Sequence, residues 1–279
     1  MNRLQGQAYD VVKSASNKTI KKIRTLQMKK HRDKSKLFIL EGTRVVEEAL
    51  QSNFDIELLV ISESNVGFID KYRQRAAELG IPVLVTSDHV FSTISDTKSP
   101  QGLMAIVEKE QYFIEDALAN KSGFIVILDG IKDPGNLGTI VRTADAAGAQ
   151  GLVLINDCVD LYNPKAVRST MGSILRVPVY IGYEALEVIG NLRAAGYHIA
   201  VSHLGGHDIY KWGHGVKKTA LVIGSEDHGV STQVTQMADS LVKIPIVGQA
   251  ESLNASVAAG ILIYEFYRKG VKLDKPTLE

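Results

Sequence analysis

The chain has 279 residues, and after position 122 short apolar segments alternate with segments of helical periodicity. This alternation restricts the possible folds more than any other feature. Strands are predicted at residues 124–128, 152–155, 177–181, 197–202, 219–223 and 241–244. Helices are predicted in most of the intervals and at 255–267. Strands that alternate with helices form a largely parallel sheet, which helices cover on both faces. The predicted fold class is therefore α/β.

A smaller alternating unit precedes this sheet. Residues 18–36 predict one helix, and strands are predicted at 37–40, 56–61, 82–85 and 103–107. Polar and charged residues around 108–122 then interrupt the alternation. We therefore expect a basic arm and a smaller α/β domain at residues 1–108, a linker at 109–121, and the parallel-sheet domain at 122–279.

Positive charge is concentrated near the start of the chain. Residues 13–36 contain ten Lys and Arg against the single acid Asp33, which leaves 22 basic and 30 acidic residues elsewhere. A basic arm on a mildly acidic body suits the phosphate backbone of a nucleic acid, and we select Lys29, Lys30 and Arg32 as candidate contacts. The same charge run also fits a solvated helix face, so both interpretations stay open at this point.

Composition disfavours several classes of protein. Cys158 is the only cysteine, which excludes an intrachain disulfide, and it has no nearby base in the sequence, so we expect a structural thiol. No apolar run reaches the roughly 18 residues of a membrane helix. The start at Met1 lacks an apolar signal-peptide core, which makes the cytoplasm the simplest location. We expect no metal site, because Gly205-Gly206 between His203 and His207 argues against a ligand-bearing helix.

Two glycine patterns do not support the cofactors that they suggest. Gly135 and Gly138 lie between a strand and a helix, but their spacing is not that of G-x-G-x-x-G. Gly224 and Gly229 have the glycine spacing of a Walker A loop, but Val230 occupies the position of the required lysine. Binding of dinucleotides and of nucleoside triphosphates is therefore disfavoured.

Two neighbouring strand ends and a helix start predict a ligand site near the C-terminus. The apolar strand at 219–223 leads into the glycine turn at 224–229, and the strand at 241–244 leads into a loop that ends at Asn254. Asn254 is a good helix N-cap before the small residues of 255–259. Ligands of α/β sheets bind in such crevices, where strand ends and helix starts present free backbone groups.

Three segments in register resemble a known family. Asn136-x-Gly138-x-x-x-Arg142, Gly224-x-Glu226-x-x-Gly229, and Ile244-Pro245 followed by Ser252-Leu253-Asn254-x-Ser256 resemble the motifs of SpoU (TrmH-type) RNA ribose methyltransferases of the SPOUT class. The resemblance covers about residues 122–268. It implies S-adenosylmethionine (AdoMet) as cofactor, an RNA ribose 2′-hydroxyl as methyl acceptor, a C-terminal trefoil knot and a homodimer. The basic α/β unit looks like the family's substrate-binding domain, which is similar to a ribosomal-protein fold.

The resemblance also implies a role for each candidate site residue. Gly224, Ile244 and Leu253 would line the cofactor, and the reactive site would contain Asn136, Arg142, Glu226, Ser252 and Asn254. Arg142 is the family's usual candidate base, but a guanidinium, with a pKa above about 12, is better suited to anchor a phosphate or an alkoxide. Glu226 could orient Arg142, and Asn136 could reach the site of a neighbouring subunit.

The target nucleotide is not identified by the sequence. An added N-terminal domain suits a large folded RNA, which favours ribosomal RNA of the large subunit. The alternatives are a transfer-RNA 2′-O-methyltransferase and a catalytically silent RNA-binding or ribosome-assembly protein. The final predicted helix carries apolar and small residues over more of its circumference than one core-facing stripe requires, so part of it is expected to pack against a second subunit.

Overall fold

The computed structural model describes residues 10–119, 123–212 and 218–269, with side chains described at all of these except 66–70. These residues form two compact units. The first unit runs to Glu110 and also includes Tyr162–Arg168, and the second comprises the remainder of the chain from Gln111 onwards. Each unit has its own sheet and its own hydrophobic core.

The first unit is a mixed sheet with helices packed on it. Its elements in chain order are α1 (Lys18–Thr25), α2 (Lys29–Ser35), β1 (Leu37–Glu41), α3 (Thr43–Ala49), β2 (Ile56–Ser62), α4 (Val66–Glu78), β3 (Val83–Thr86), α5 (Asp88–Ile94) and β4 (Leu103–Glu108). In the described residues the strand order is β1-β4-β2-β3. β4 is antiparallel to β1 and β2, whereas β2 and β3 are parallel. Ile20 and Ile23 of α1 share one buried core with Phe91 of α5 and the sheet.

The region predicted as one helix at 18–36 is two helices, and the break has a physical cause. Asn17 caps α1, because its Oδ1 atom accepts hydrogen bonds from the backbone N–H groups of Thr19 and Ile20. At the end of α1, the carbonyl oxygen of Leu26 accepts a hydrogen bond of 2.7 Å from the guanidinium of Arg32. Carbonyl groups at a helix end need such partners. Leu26 and Arg32 are both buried at this turn, where the guanidinium satisfies a carbonyl group that the end of α1 leaves free.

The second unit is an α/β domain on a parallel sheet, which confirms the predicted fold class. Its elements, together with the short α8 that lies mostly in the first unit, are α6 (Ile114–Leu118), β5 (Gly123–Asp129), α7 (Pro134–Ala146), β6 (Gly151–Ile155), α8 (Pro164–Ser169), β7 (Val179–Ile181), α9 (Ala185–Ala194), β8 (His198–Asp208), β9 (Lys218–Gly224), α10 (Thr232–Gln236), β10 (Ser240–Lys243) and α11 (Ala255–Arg268). In the described residues the strand order is β10-β8-β9-β5-β6-β7, and every pair is parallel. All seven residues of β5 are buried, as expected for a central strand covered on both faces.

Segments that are distant in the chain meet at the carboxyl edge of this sheet. β5 pairs with β9 over its whole length, so that Asp129 lies opposite Gly224. β8 extends beyond the predicted 197–202, and its pairing with β10 is interrupted by a bulge at 202–206, called here the β8 bulge. A Cβ atom on Gly206 would lie 2.6 Å from the backbone of Leu241, so glycine is required at that approach.

Candidate active site

A cavity of about 640 Å³ opens at the carboxyl edge of the second unit's sheet. Its walls come from the turn after β9, the loop after β10, the helix α10 and the β8 bulge. Gly224, Ile244 and Leu253, which were predicted to line a cofactor, all lie on this wall. Glu226 and Ser252, which were predicted for the reactive site, lie on it as well. The structure therefore brings these motif residues together around one cavity.

The turn at 224–229 closes on itself, which explains its two glycines. The backbone N–H of Gly229 donates a hydrogen bond of 2.9 Å to the carbonyl oxygen of Ser225. A Cβ atom on Gly224 would lie 2.0 Å from the carbonyl carbon of Gly229, which leaves no room for a side chain. Gly229 has a φ of +66°, in the left-handed region that favours glycine. The glycine spacing, which matches that of a Walker A loop, is therefore explained by a tight turn. The exposed Glu226 of this turn lines the cavity.

A hydrogen-bonded network joins the three motif segments. The side-chain amide of Asn136 donates to the Glu226 carboxylate, and the side-chain amide of Asn254 donates to the Oδ1 atom of Asn136 at 3.1 Å. The Oδ1 atom of Asn254 accepts hydrogen bonds from the backbone N–H groups of Ser256 and Val257. Asn254 is therefore the N-cap of α11, as predicted. Asn136 links α7, the turn after β9 and the start of α11.

The position of Asn136 within α7 leaves its side chain available for this network. α7 begins at Pro134, and its N-cap is Asp133, whose carboxylate accepts the backbone N–H of Asn136 at 2.8 Å. Asn136 is therefore not the cap, and its side chain contacts Glu226 of its own chain. Glu226 pairs with Asn136, and the described residues contain no hydrogen bond or ion pair between Glu226 and Arg142.

Arg142 is exposed on α7 and does not line the cavity. Among the described residues its guanidinium has no hydrogen-bond or ion-pair partner. The helix that carries it packs on α11, where a Cβ atom on Gly260 would lie 3.9 Å from the methyl group of Thr143. An exposed guanidinium without a protein partner is available to bind an external anion.

Several residues of the cavity wall escaped prediction from the sequence. His203 and Leu204 lie on the wall because the β8 bulge projects there. The sequence suggested only a metal-ligand role for His203, which Gly205-Gly206 disfavoured, and no place in a cofactor site. His228 and Lys243 also line the cavity. The signal that could have found the bulge is Gly205-Gly206 inside a strand pattern, because glycine there indicates a bulge or a close backbone approach.

The three candidate RNA contacts differ in their surroundings. Lys30 is exposed. Lys29 forms an ion pair of 2.7 Å with Asp33, and hydrogen bonds from Lys29 and Lys109 lower the pKa of Asp33 to about 2. Arg32 is only 2 % exposed, and its guanidinium binds the Leu26 carbonyl oxygen. The prediction that Arg32 contacts RNA is therefore wrong, because a buried guanidinium that satisfies a helix end does not reach a phosphate.

The structure also bears on the thiol, on metals and on membranes. Burial raises the pKa of Cys158 to about 11, and its single S–H is shared between the carbonyl oxygens of Leu128 and Ile155, which lie 3.2 Å and 3.3 Å from Sγ. Cys158 is therefore a neutral structural thiol, as predicted.

The part of the chain that the structure describes contains no group of three or more His, Cys, Asp and Glu residues that could hold a metal ion. It also contains no helix that is long and apolar enough to cross a membrane.

The chemistry of the cavity wall fits AdoMet. The volume lies within the range of about 300–1,000 Å³ that is usual for small-molecule sites. Ile223, Val230 and Leu253 provide apolar surface for a flat heterocycle, while Ser225, Ser252 and Thr232 supply hydroxyl groups. The carboxylates of Glu226 and Asp227 suit the ammonium and sulfonium charges of the cofactor.

Known proteins share the sequence and the fold of this chain. The 23S rRNA (guanosine(2553)-2′-O)-methyltransferase RlmP of Bacillus subtilis is 34 % identical over 254 residues, which cover 91 % of this chain and 97 % of that protein. An AdoMet-bound rRNA methyltransferase from Sinorhizobium meliloti has a TM-score of 0.86 and 35 % identity, over 93 % of this chain and 97 % of that one. The SpoU methyltransferase AviRb from Streptomyces viridochromogenes, in complex with AdoMet, has a TM-score of 0.81 and 26 % identity. The match covers 91 % of this chain and 98 % of the AviRb chain.

The fold and the cavity define an AdoMet-dependent RNA 2′-O-methyltransferase of the SPOUT class, as the three motifs predicted. The family model of the SpoU rRNA Methylase family matches residues 123–264, and that of the MRM3-like substrate binding domain matches residues 17–105. The chain belongs to the SpoU rRNA Methylase family. Its first unit corresponds to a substrate-binding domain, and its second unit carries the cavity.

Proposed function

We propose that this protein transfers a methyl group from AdoMet to a ribose 2′-hydroxyl of large-subunit ribosomal RNA. The main support is the Asn136–Glu226–Asn254 network, which joins all three motif segments around a cavity of suitable size for AdoMet. RlmP, whose name specifies 23S rRNA, matches nearly the whole chain, and so does the AdoMet-bound rRNA methyltransferase of S. meliloti.

The chain's own residues would bind and orient the reactants. Bound AdoMet supplies a sulfonium methyl group, which is already a good electrophile. The turn at 224–229 and the loop after β10 would hold the cofactor, largely through backbone groups. Asn136 holds the Glu226 carboxylate, and Asn254 holds Asn136, so the carboxylate has a defined place on the cavity wall. Such positioning of reacting groups supplies a large part of an enzymatic rate enhancement.

Arg142 acts as an anion anchor in this proposal. Its guanidinium is exposed and unpaired among the described residues, so it can take a phosphate or the developing 2′-alkoxide. A guanidinium is nearly always charged, which makes it a poor proton acceptor. A positive charge beside the hydroxyl lowers the hydroxyl pKa and eases transfer of its proton to solvent water, while the sulfonium methyl group passes to the oxygen and leaves a neutral thioether. We therefore favour stabilisation of the alkoxide over direct base action by Arg142.

A homodimer would complete the site. Arg142 does not line the cavity of its own chain, so a second subunit is the simplest source of an arginine at the reacting oxygen. α11 buries Leu262 and Phe266 within its own unit but leaves Val257 and Tyr264 51 % and 47 % exposed. An interface over α11 and the adjacent α7 would cover these apolar side chains. The C-terminal trefoil knot that the family resemblance implies is part of the same proposal.

The first unit would hold the RNA through cations that form no ion pair with any residue that the structure describes. α1 presents Lys18, Lys21 and Arg24 to solvent. These three side chains and Lys30 have no ion-pair partner among the described residues, whereas Lys22 pairs with an acid at 2.6 Å. A cation without an ion pair gives up only counterions and water when it binds a phosphate. A paired cation must also give up its carboxylate, so it contributes less to the free energy of RNA binding. We therefore assign the RNA surface to Lys18, Lys21, Arg24 and Lys30.

Mapping of 2′-O-methyl groups tests this function. RNA from a strain that lacks the gene should lose a 2′-O-methyl group from large-subunit ribosomal RNA. Purified protein with tritiated AdoMet should restore that group in vitro. Loss of a methyl group from transfer RNA would favour the alternative substrate. A protein that binds RNA but neither binds AdoMet nor transfers methyl groups would be the catalytically silent alternative.

A further inference from the structure

Asp129 ends the central strand β5, where it is 3 % exposed and joins two loops. One carboxylate oxygen accepts a hydrogen bond of 2.8 Å from the side-chain amide of Asn156, in the loop after β6. The other oxygen accepts a hydrogen bond of 2.8 Å from the backbone N–H of Ser231. Ser231 is the N-cap residue of α10 and directly follows the cavity-lining segment 224–230. The carboxylate therefore connects the loop after β6 to the end of the cofactor turn.

Asn156 adopts an unusual backbone conformation at this junction. Its φ is +51° and that of Asp157 is +54°, so two consecutive residues other than glycine occupy the left-handed region. Such residues are strained, and the strain persists only where surrounding interactions maintain it, commonly at functional sites. The same amide nitrogen of Asn156 also lies 3.4 Å from the hydroxyl of Ser231. The strained residue thus directs its side chain to the Asp129–Ser231 junction.

We propose that Asp129 and Asn156 are positioning residues for the cofactor site. By holding Ser231, they fix the position where the turn that carries Glu226 ends. They also fix the start of α10, whose residue Thr232 lines the cavity. Neither Asp129 nor Asn156 lines the cavity, so they would act through the shape of the turn and not by touching the cofactor. This role rests on the proposed function, because it requires that the cavity binds AdoMet.

The loop that carries Asn156 has anchors that do not involve the Asn156 amide. The ammonium group of Lys132 donates a hydrogen bond of 2.7 Å to the carbonyl oxygen of Asp157. The backbone N–H of Val159 donates one of 2.8 Å to the carbonyl oxygen of Ile131. Removal of the Asn156 amide therefore leaves the loop closed, which allows its positioning role to be separated from folding.

Asn156→Gly is the variant that separates these two roles. Glycine adopts the left-handed conformation without strain, which offsets part of the stability lost with the amide hydrogen bond, so the variant should stay folded with at most a modest fall in melting temperature. We expect the AdoMet Kd from calorimetry to rise about tenfold, the worth of one hydrogen bond to a charged group. Asp157→Gly is the matched control, because it relieves the same backbone strain and its side chain has no partner among the described residues. Its AdoMet Kd should equal that of wild type.

A second readout needs no cofactor. Without AdoMet, the Ser231 amide should exchange with deuterium faster in Asn156→Gly than in wild type or in Asp157→Gly. Equal AdoMet affinity together with equal Ser231 exchange in wild type and Asn156→Gly would overturn the positioning role. A wild-type protein that binds no AdoMet would refute the proposed function instead, and Ser231 exchange would then decide separately whether the pair positions the turn.

Discussion

The side-chain amide of Asn254 donates a hydrogen bond of 3.1 Å to Asn136, although 118 positions separate the two residues in the chain. The Asn136 amide continues this connection to the Glu226 carboxylate. Asn254 meanwhile uses its Oδ1 atom to cap α11. One side chain therefore both starts a helix and ties that helix to the other motif segments.

Replacement of Asn254 by alanine should affect both roles. Loss of the N-cap should lower the unfolding free energy by about 1 kcal/mol, and loss of the bond to Asn136 should weaken methyl transfer. Asn17→Ala is the matched control, because Asn17 caps α1 through backbone N–H groups two and three residues ahead, as Asn254 does for α11. Urea unfolding and tritium transfer to bulk ribosomal RNA measure the two effects. Equal methyl transfer by both variants would remove Asn254 from the site.

Arg142→Ala should lower kcat by at least about 10²-fold, the usual cost of removing one group that stabilises developing charge. AdoMet affinity should change little, because Arg142 does not line the cavity. Arg193→Ala is the control, since Arg193 is an exposed arginine that pairs with Asp239 at 2.5 Å. It should leave turnover and AdoMet affinity unchanged. Near-normal turnover in Arg142→Ala would exclude Arg142 from the chemistry.

Neutralising the unpaired cations should weaken RNA binding in a salt-dependent way. Fewer counterions are released when the triple variant Lys21→Gln, Arg24→Gln, Lys30→Gln binds RNA. Its RNA Kd should therefore rise, and the slope of log Kd against log salt should flatten by roughly 0.7–0.9 for each phosphate that the variant no longer neutralises. Lys22→Gln is the control, because its partner Glu57 already neutralises Lys22 at 2.6 Å. An unchanged salt slope in the triple variant would assign these cations to a solvated helix face.

Light scattering should report a homodimer near twice 30.4 kDa at micromolar concentrations. Val257→Asp should shift the protein towards monomer, because an unpaired charge buried in an apolar interface is costly. Leu186→Asp is the control, since Leu186 is an exposed apolar side chain on α9, which packs on α6, α10 and β8. It should leave the dimer intact. A monodisperse wild-type monomer that still methylates RNA would refute both the interface and the shared site.

The raised pKa of Cys158 predicts slow alkylation of the native protein. The thiol has a pKa of about 11, against 9.0 for an ordinary cysteine, so it is protonated at neutral pH. A group whose pKa is raised by folding stabilises the protein below its unfolded pKa, and this contribution disappears as the pH rises from about 9 to about 11. At pH 8, iodoacetamide should modify native protein far more slowly than urea-unfolded protein. Equal rates would contradict a partly buried, neutral thiol.

The sequence by itself determined the type of sheet and the location of the motif segments. Alternating apolar and helical patterns predicted the start of each strand in the second sheet to within two residues. These patterns depend on neighbours along the chain, so they can be recognised without the fold. The cap at Asn254 was predictable for the same reason, because an N-cap depends only on the next few residues.

Only the tertiary structure decided which side chains meet and which are buried. In the sequence Arg32 is one cation of a basic run, but packing at the turn between α1 and α2 buries it against the Leu26 carbonyl. The β8 bulge brings His203 to the cavity because β10 approaches closely at Gly206. The bond from Asn254 to Asn136 joins segments that no local pattern connects. Burial and long-range hydrogen bonds depend on residues from other elements, so they are settled only when those elements pack together.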